Sequence, residues 1–431
     1  MQIEKWEPTI TDLANAIVLI RNYFGKEWLD NQCQMLQNKP KHVVSKFTHH
    51  LKPEHHPIVP LYVHSLRNYA QIRANPENKF DIAALKLISF CQSLRRLRKI
   101  GVVDFNGNEL AINSQDRFRE RLKNKDEFNQ SAYEIQIAVA LARAGFSTWF
   151  IQESSQPNEK TPDFLVKYKK QKFYVECKYQ GLTNREKQYE NLFKEFYWRS
   201  MRLMFQVGEF YSICVEWIKD PDFADVTSTV ELLKEKIGKK QTGLIETEKA
   251  KIWLDHLASR GQTFDGPFKV DLGKYRSDGQ HIDIIMPQAH VGIFDGVLKY
   301  KNPTLVMFRN ISYLDDLVNG AVQDINKAYS QIPEKGPSIV FLENRISFLN
   351  ESIKESARDL QKRIEEKLKL ISRINMVVLT KSYFDEKRVM VRGRLGVAIT
   401  RFVESRTIPN PKPATPLLPD VVERISHLKY Y

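Results

Sequence analysis

A chain of 431 residues is longer than one hydrophobic core usually grows, and 42% hydrophobic residues is too many for a disordered protein. Lys and Arg number 66 against 52 Asp and Glu, and the net charge of +14 favours a polyanionic partner such as nucleic acid. The four cysteines, Cys33, Cys91, Cys177 and Cys214, form no CxxC pair, which excludes a disulfide scaffold or zinc ribbon and leads us to expect a reducing cytoplasm. Neither a signal peptide nor an apolar run of the roughly 18 residues that a membrane span needs is expected.

In chain order, residues 1–125 read as a mostly helical N-terminal domain. Apolar residues recur at three- and four-residue spacing in Leu13, Ala14, Ile17, Val18 and Ile20, and again in Ile82, Ala83, Leu85, Ile88, Leu94 and Leu97. A polar, proline-bearing segment with His49, His50, His55 and His56 separates them and reads as a solvated loop, since no zinc-ligand spacing is present. A hairpin is predicted around Asn106-Gly107. Residues 126–219 read as the next unit: a helix from Glu127 to Ala144 stopped by Gly145, short strands over Ser147–Ile151, Asp163–Lys169 and Lys172–Lys178, a helix over Asn184–Phe205, and a strand over Tyr211–Ile218. Residues 220–301 read as an insertion, with helical runs near Val230–Ile237 and Glu246–Ala258 and β runs at Phe268–Leu272, His281–Met286 and Val291–Phe294. Residues 302–406 resume an α/β rhythm that is expected to extend the preceding sheet. It comprises strands at Thr304–Phe308, Ser338–Leu342 and Met376–Thr380, helices at Leu314–Ile332 and Ser352–Leu370, and two closing β runs. Residues 407–431 carry five prolines and read as an extended arm ending in a short helix.

One stretch carries chemistry: Thr161-Pro162-Asp163-Phe164-Leu165-Val166, then Phe173-Tyr174-Val175-Glu176-Cys177-Lys178. On a strand, residues two apart share a face, so Glu176 and Lys178 project together while Cys177 points the other way. A turn at Lys170-Gln171 folds the two strands antiparallel and brings Asp163 back beside Glu176. Two carboxylates, with the backbone carbonyl of Cys177, offer hard oxygen ligands suited to Mg²⁺ or Mn²⁺. Lys178 beside them is placed to orient a water and stabilise developing negative charge.

These residues resemble the PD-(D/E)XK nuclease superfamily. Pro162-Asp163 matches its PD element, and Glu176-Cys177-Lys178 its (D/E)XK element. Glu134 stands where many members carry an acidic residue on the first core helix. The resemblance covers roughly Asn129 to Ile218. It implies a restriction-endonuclease-like αβββαβ core, metal-dependent cleavage of DNA more than RNA, and a setting in restriction or anti-phage defence. It further implies that Asp163 and Glu176 bind metal, that Lys178 assists the nucleophile, and that Glu134 completes a second metal shell. The alternative is a catalytically silent nuclease-fold protein that binds nucleic acid or assembles a complex.

Lys187, Asn191 and Lys194 share a face of the helix after the ExK strand and are candidates for phosphate contact beside the site. Arg95, Arg96, Arg98 and Lys99 form the densest basic run and are candidates for tracking a nucleic-acid backbone. No phosphate-binding glycine loop occurs, so any ATPase is expected on a partner subunit. A homo-oligomer is the other expected assembly, and no membrane partner is expected.

Overall fold

In the computed structural model, residues 8–37, 56–75, 80–152, 161–181, 184–264, 281–294, 297–311, 314–334, 336–344, 346, 354–391 and 394–428 are described. Among these the chain is mixed α/β, with eleven helices and two mixed sheets.

Four helices open it: α1 (Ile10–Phe24), α2 (Lys26–Gln37), α3 (Ile58–Ala74) and α4 (Ile82–Leu97). Their starts are encoded locally. Thr9 and Asp12 form a capping box on α1, and the Asp81 carboxylate accepts the Ala84 N–H at 2.7 Å to cap α4. Of the predicted apolar spacing, Leu13, Ile20, Leu85, Ile88, Leu94 and Leu97 are buried, whereas Val18 is exposed. The predicted hairpin is β1 (Gly101–Val103) and β2 (Glu109–Leu110), with Gly107 at φ +83° in its turn. Helices α5 (Ser114–Lys123) and α6 (Phe128–Arg143) follow, then β3 (Ser147–Ile151), β4 (Phe164–Tyr168) and β5 (Gln171–Tyr179). The N-terminal helices are not a separate domain. They share one core with α6 and with Phe150, Phe164, Phe173, Val175 and Cys177 of the sheet.

His56 departs from its expected place in a solvated loop. It is 3% exposed and boxed by the rings of Phe24, Trp28 and Phe128, and its Nε2 lies 2.7 Å from the Leu122 carbonyl. Burial pushes its pKa down to about 4. Aromatic neighbours from three helices, distant in sequence, make this a core position. His49, His50 and His55 lie outside the described residues.

The largest departure comes next. Helix α7 (Asn184–Val207) leads to β6 (Glu209–Trp217), but β6 does not join the sheet of β5. It is the centre of a second sheet with β7 (Gly243–Glu246), β8 (Ala250–Ser259), β10 (His281–Phe294) and β11 (Val297–Ile311), in the order β10-β11-β6-β8-β7, with β9 (Thr263–Phe264) pairing β11. Helices α7 and α8 (Phe223–Gly238) pack on it around their own core of Leu192, Phe196, Phe210, Ile213, Val226 and Leu254. The inserted unit thus runs from α7 to β11, wider at both ends than residues 220–301, and the expected 126–219 unit ends after β5. The expected helix at Glu246–Ala258 is β8: Ala250, Ile252 and Leu254 are buried while Lys251, Trp253 and Asp255 are less so, an alternation set by the partners β6 and β7. The β run expected at Phe268–Leu272 lies outside the described residues.

The place beside β5 is filled by β12 (Ser338–Glu343), which arrives through α9 (Leu314–Gln331) and runs parallel to β5, Val340 opposite Glu176. Helix α10 (Lys354–Lys369), β13 (Met376–Val391) and β14 (Arg394–Pro409) complete the first sheet, ordered β14-β13-β12-β5-β4-β3-β1-β2. The expectation that residues 302–406 extend this sheet holds from β12 onward, but β11 belongs to the second sheet. Helix α6 lies against one face of β5 and α9 reaches the other near Lys178, while α9 and α10 share a core with β12 and β13. The C-terminal arm is not free. Helix α11 (Pro419–Ser426) buries Val421 and Ile425 in the first core, Asp420 pairs with Lys169, and the Gln171 side chain bonds Leu418 N and Pro416 O.

Candidate active site

The site exists because β5 outruns its partner. Strand β4 begins at Phe164, opposite Val175, so β5 from Glu176 to Tyr179 has no β4 residue beside it. Side chains satisfy the peptide groups left over. The Asp163 carboxylate accepts the Cys177 N–H at 2.7 Å. The Gln130 amide, from the first turn of α6, accepts the Tyr179 N–H at 2.8 Å and donates to the Cys177 carbonyl at 2.9 Å. Gln130 thereby stands in for the missing strand. Asp163, immediately before β4, is brought within one peptide unit of Glu176.

Glu176 is 1% exposed. Its Oε1 receives Lys178 Nζ at 2.6 Å, while its Oε2 is buried and has no hydrogen-bond partner among the described residues. Burial, with the negative charge of Glu134 adding to it, raises Glu176 to about 7 against the pull of Lys178. Asp163 is also raised well above the usual carboxylate range, first by burial and then by the charges of Glu176 and Glu134. For Lys178 burial favours the neutral amine, but Glu176 and Asp163 outweigh it and its pKa rises. Its ammonium also bonds the Gln331 side chain at the end of α9. Two carboxylates with raised proton affinity lie beside one buried oxygen that has no partner among the described residues, an arrangement whose charge a cation would stabilise.

Glu134 is buried on α6 one turn after Gln130. Arg121 of α5 grips both its oxygens, at 2.8 and 2.9 Å, and Gln130 Nε2 donates to it at 3.0 Å. The resemblance made Glu134 part of a second metal shell. Here its carboxylate is committed to Arg121 and to holding Gln130, which in turn holds the end of β5. Among the described residues no three His, Cys, Asp or Glu side chains gather as a ready metal cage. The donors that fit a divalent ion are therefore Asp163, Glu176 and the remaining lone pair of the Cys177 carbonyl.

The other expected residues lie elsewhere. Arg95, Arg96, Arg98 and Lys99 are exposed at the end of α4 and in the turn after it. Arg96 senses the charge of Arg143 at the C-terminal end of α6, nine residues from Glu134, or about 14 Å at the helical rise. Lys187 and Asn191 are exposed and Lys194 half-buried on α7, whose core belongs to the second sheet.

Sequence reasoning missed Gln130, Gln331 and the pairing of Arg121 with Glu134. Gln130 had a signal, its i, i+4 spacing to Glu134 on one helix face. Gln331 had none, because the α9–β5 contact spans 153 residues. Comparison with known proteins yields no match: no family model, curated protein or solved structure aligns significantly with the chain.

Proposed function

We propose that this chain is a metal-dependent nuclease that hydrolyses phosphodiester bonds, with DNA as substrate. The observation that carries the reading is the buried, unpartnered Oε2 of Glu176 beside Asp163, with Lys178 on the same strand face. The topology supports it too. The succession α6–β3–β4–β5, then α9–β12 parallel to β5, has the αβββαβ order of the PD-(D/E)XK superfamily, with the second sheet inserted between its two parts. In this reading Asp163 and Glu176 hold Mg²⁺ or Mn²⁺, and the Cys177 carbonyl assists. The ion, when bound, neutralises the phosphate and makes a water more acidic. Lys178, anchored by Glu176 and Gln331, presents its remaining N–H toward the attacking water or a phosphate oxygen. Gln130 and Glu134 are positioning residues that keep the end of β5 in register. A role in restriction or anti-phage defence belongs to the same proposal.

One observation favours the rival reading, a silent nuclease fold that binds nucleic acid: Gln130 already occupies the Cys177 carbonyl, and Arg121 already neutralises Glu134. Incubating purified protein with plasmid and linear DNA in Mg²⁺, Mn²⁺ or EDTA separates the two. Metal-dependent cleavage that is lost in both Asp163→Ala and Lys178→Ala is the expected result. Intact DNA in all conditions, with wild-type protein still binding it, overturns the nuclease reading in favour of the silent one. Among the described residues no helix is long and apolar enough to cross a membrane.

A further inference from the structure

Strands β4 and β5 pair Lys167 directly opposite Lys172. Residues opposite each other in an antiparallel pair share a face, with Cβ atoms about 4.5–5.5 Å apart, and like charges there destabilise the sheet. Both lysines are exposed. Neither has an ion-pair or hydrogen-bond partner among the described residues. Two other lysines of the same hairpin contrast with them: Lys169 is paired with Asp420, and Lys178 with Glu176. The side-chain alternation of β5 puts Lys172, Tyr174, Glu176 and Lys178 on one face, and that of β4 adds Lys167 and Leu165. The uncompensated pair therefore lies on the face of the acidic centre, four residues back along β5, or about 13 Å at the strand rise.

The ground between carries two aromatic side chains. Tyr174 and, on β3 opposite Leu165, Trp149 are half-buried aromatic rings on this face. The turn carrying Arg98 and Lys99 enters β1 at this end of the sheet, because Gly101 pairs with Trp149 rather than with the β3 residues near Asp163. At one phosphate per about 3.4 Å of duplex axis along each strand, 13 Å corresponds to roughly four base pairs.

We infer that Lys167 and Lys172 form a phosphate anchor for nucleic acid, holding its backbone about four base pairs from the bond placed at Asp163 and Glu176. The inference rests on the nuclease reading only for the position of the scissile phosphate. The contact is to the backbone, so it is independent of sequence and weakened by salt.

The test measures binding of a fluorescent DNA duplex by anisotropy, in EDTA so that cleavage plays no part, across a salt series. Lys167→Ala/Lys172→Ala should weaken binding at least tenfold and reduce the slope of log affinity against log salt by about 2. Lys172→Glu gives the second arm. It turns a cross-strand repulsion into an ion pair with Lys167, so it should raise the melting temperature slightly while still weakening DNA binding. A purely structural role would move the two readouts together. Wild-type affinity and salt slope in the double variant overturn the anchor, as does a wild type that fails to bind DNA at low salt. If the lysine variants lose binding while the wild type never cleaves with metal, the anchor stands and the nuclease reading falls.

Discussion

The two sheets each have a nine-residue central strand, and the contrast between them singles out the candidate site. Strand β6 is paired along its whole length with β8 and over half of it with β11, and its side chains are buried on both faces. Strand β5 is paired with β4 only as far as Val175, and beyond that point it carries Glu176, Cys177 and Lys178. Pairing with β8 along its whole length leaves β6 no overhang on that side, and its central residues Phe210–Val215 are all buried. The overhang of β5 leaves backbone groups that drew in Asp163 and Gln130, and these bring their polarity to a buried strand end. Each strand also has a glutamate, in opposite environments. Glu209 of β6 accepts bonds from Ser259 at 2.6 Å, His256 at 2.8 Å and Lys240 at 3.0 Å, which hold it down at about 2. Glu176 is raised to about 7 with one oxygen unmet.

The sharpest way to break this comparison is to neutralise the β5 end without changing its shape. Asp163→Asn should reduce metal-dependent cleavage at least about a hundredfold, the scale of losing one preorganised electrostatic partner, while circular dichroism is unchanged. Full activity in that variant would remove Asp163 from the site.

Next in size is a stability effect of opposite sign. Between the unfolded value of 4.5 and the folded value of about 7, the native state holds a proton that the unfolded state has released, so stability falls as pH rises through that window. The groups facing Glu176 are Asp163, Lys178 and Glu134. Glu176→Gln should therefore stabilise the metal-free protein at pH 8, by at most about 3 kcal/mol, and flatten its pH dependence. Denaturant melts at pH 5 and pH 8 measure this. A variant less stable than wild type at pH 8 would mean that the Lys178 pair outweighs burial.

Smaller again is the effect of Gln130→Ala. It uncouples the end of β5 from α6 and should cost about tenfold in cleavage, or roughly 1.4 kcal/mol in the barrier, with a higher metal requirement. An unchanged metal requirement would reduce Gln130 to a structural filler. The smallest effect belongs to the second sheet. Stability contributed by Glu209 is present above pH 4.5 and lost as pH falls toward 2, so Glu209→Gln should make acid unfolding shallower in that range and leave cleavage at neutral pH unaltered.

The sequence made some of this legible and hid the rest for physical reasons. The Asp163–Lys178 stretch was readable because its geometry is local: one tight turn and the two-residue period of strands fix which side chains meet. Helix α6 was readable from its apolar spacing and Gly145. The partner of β5 was not. The patterns at α7–β6 and at α9–β12 are both a long helix followed by an apolar strand, and nothing local says which returns to the first sheet. β8 was read as a helix although Ala250, Ile252 and Leu254 alternate with Lys251 and Trp253, because Lys, Ala and Glu nearby favour helix until β6 and β7 supply partners. His56 looked solvated because its aromatic neighbours come from helices far away in the chain.

The late arrival of β12 has a consequence for how the molecule is made. Between Tyr179 and Ser338 lie roughly 160 residues, which at about 5–20 residues per second take on the order of ten seconds to leave a ribosome. Throughout that interval one edge of β5 stands open, and an apolar open edge invites pairing with other nascent chains. Glu176 and Lys178, inward-pointing charges on that waiting strand, are poorly suited to an intruder. The residues proposed to serve phosphodiester chemistry thus also guard the half-built sheet.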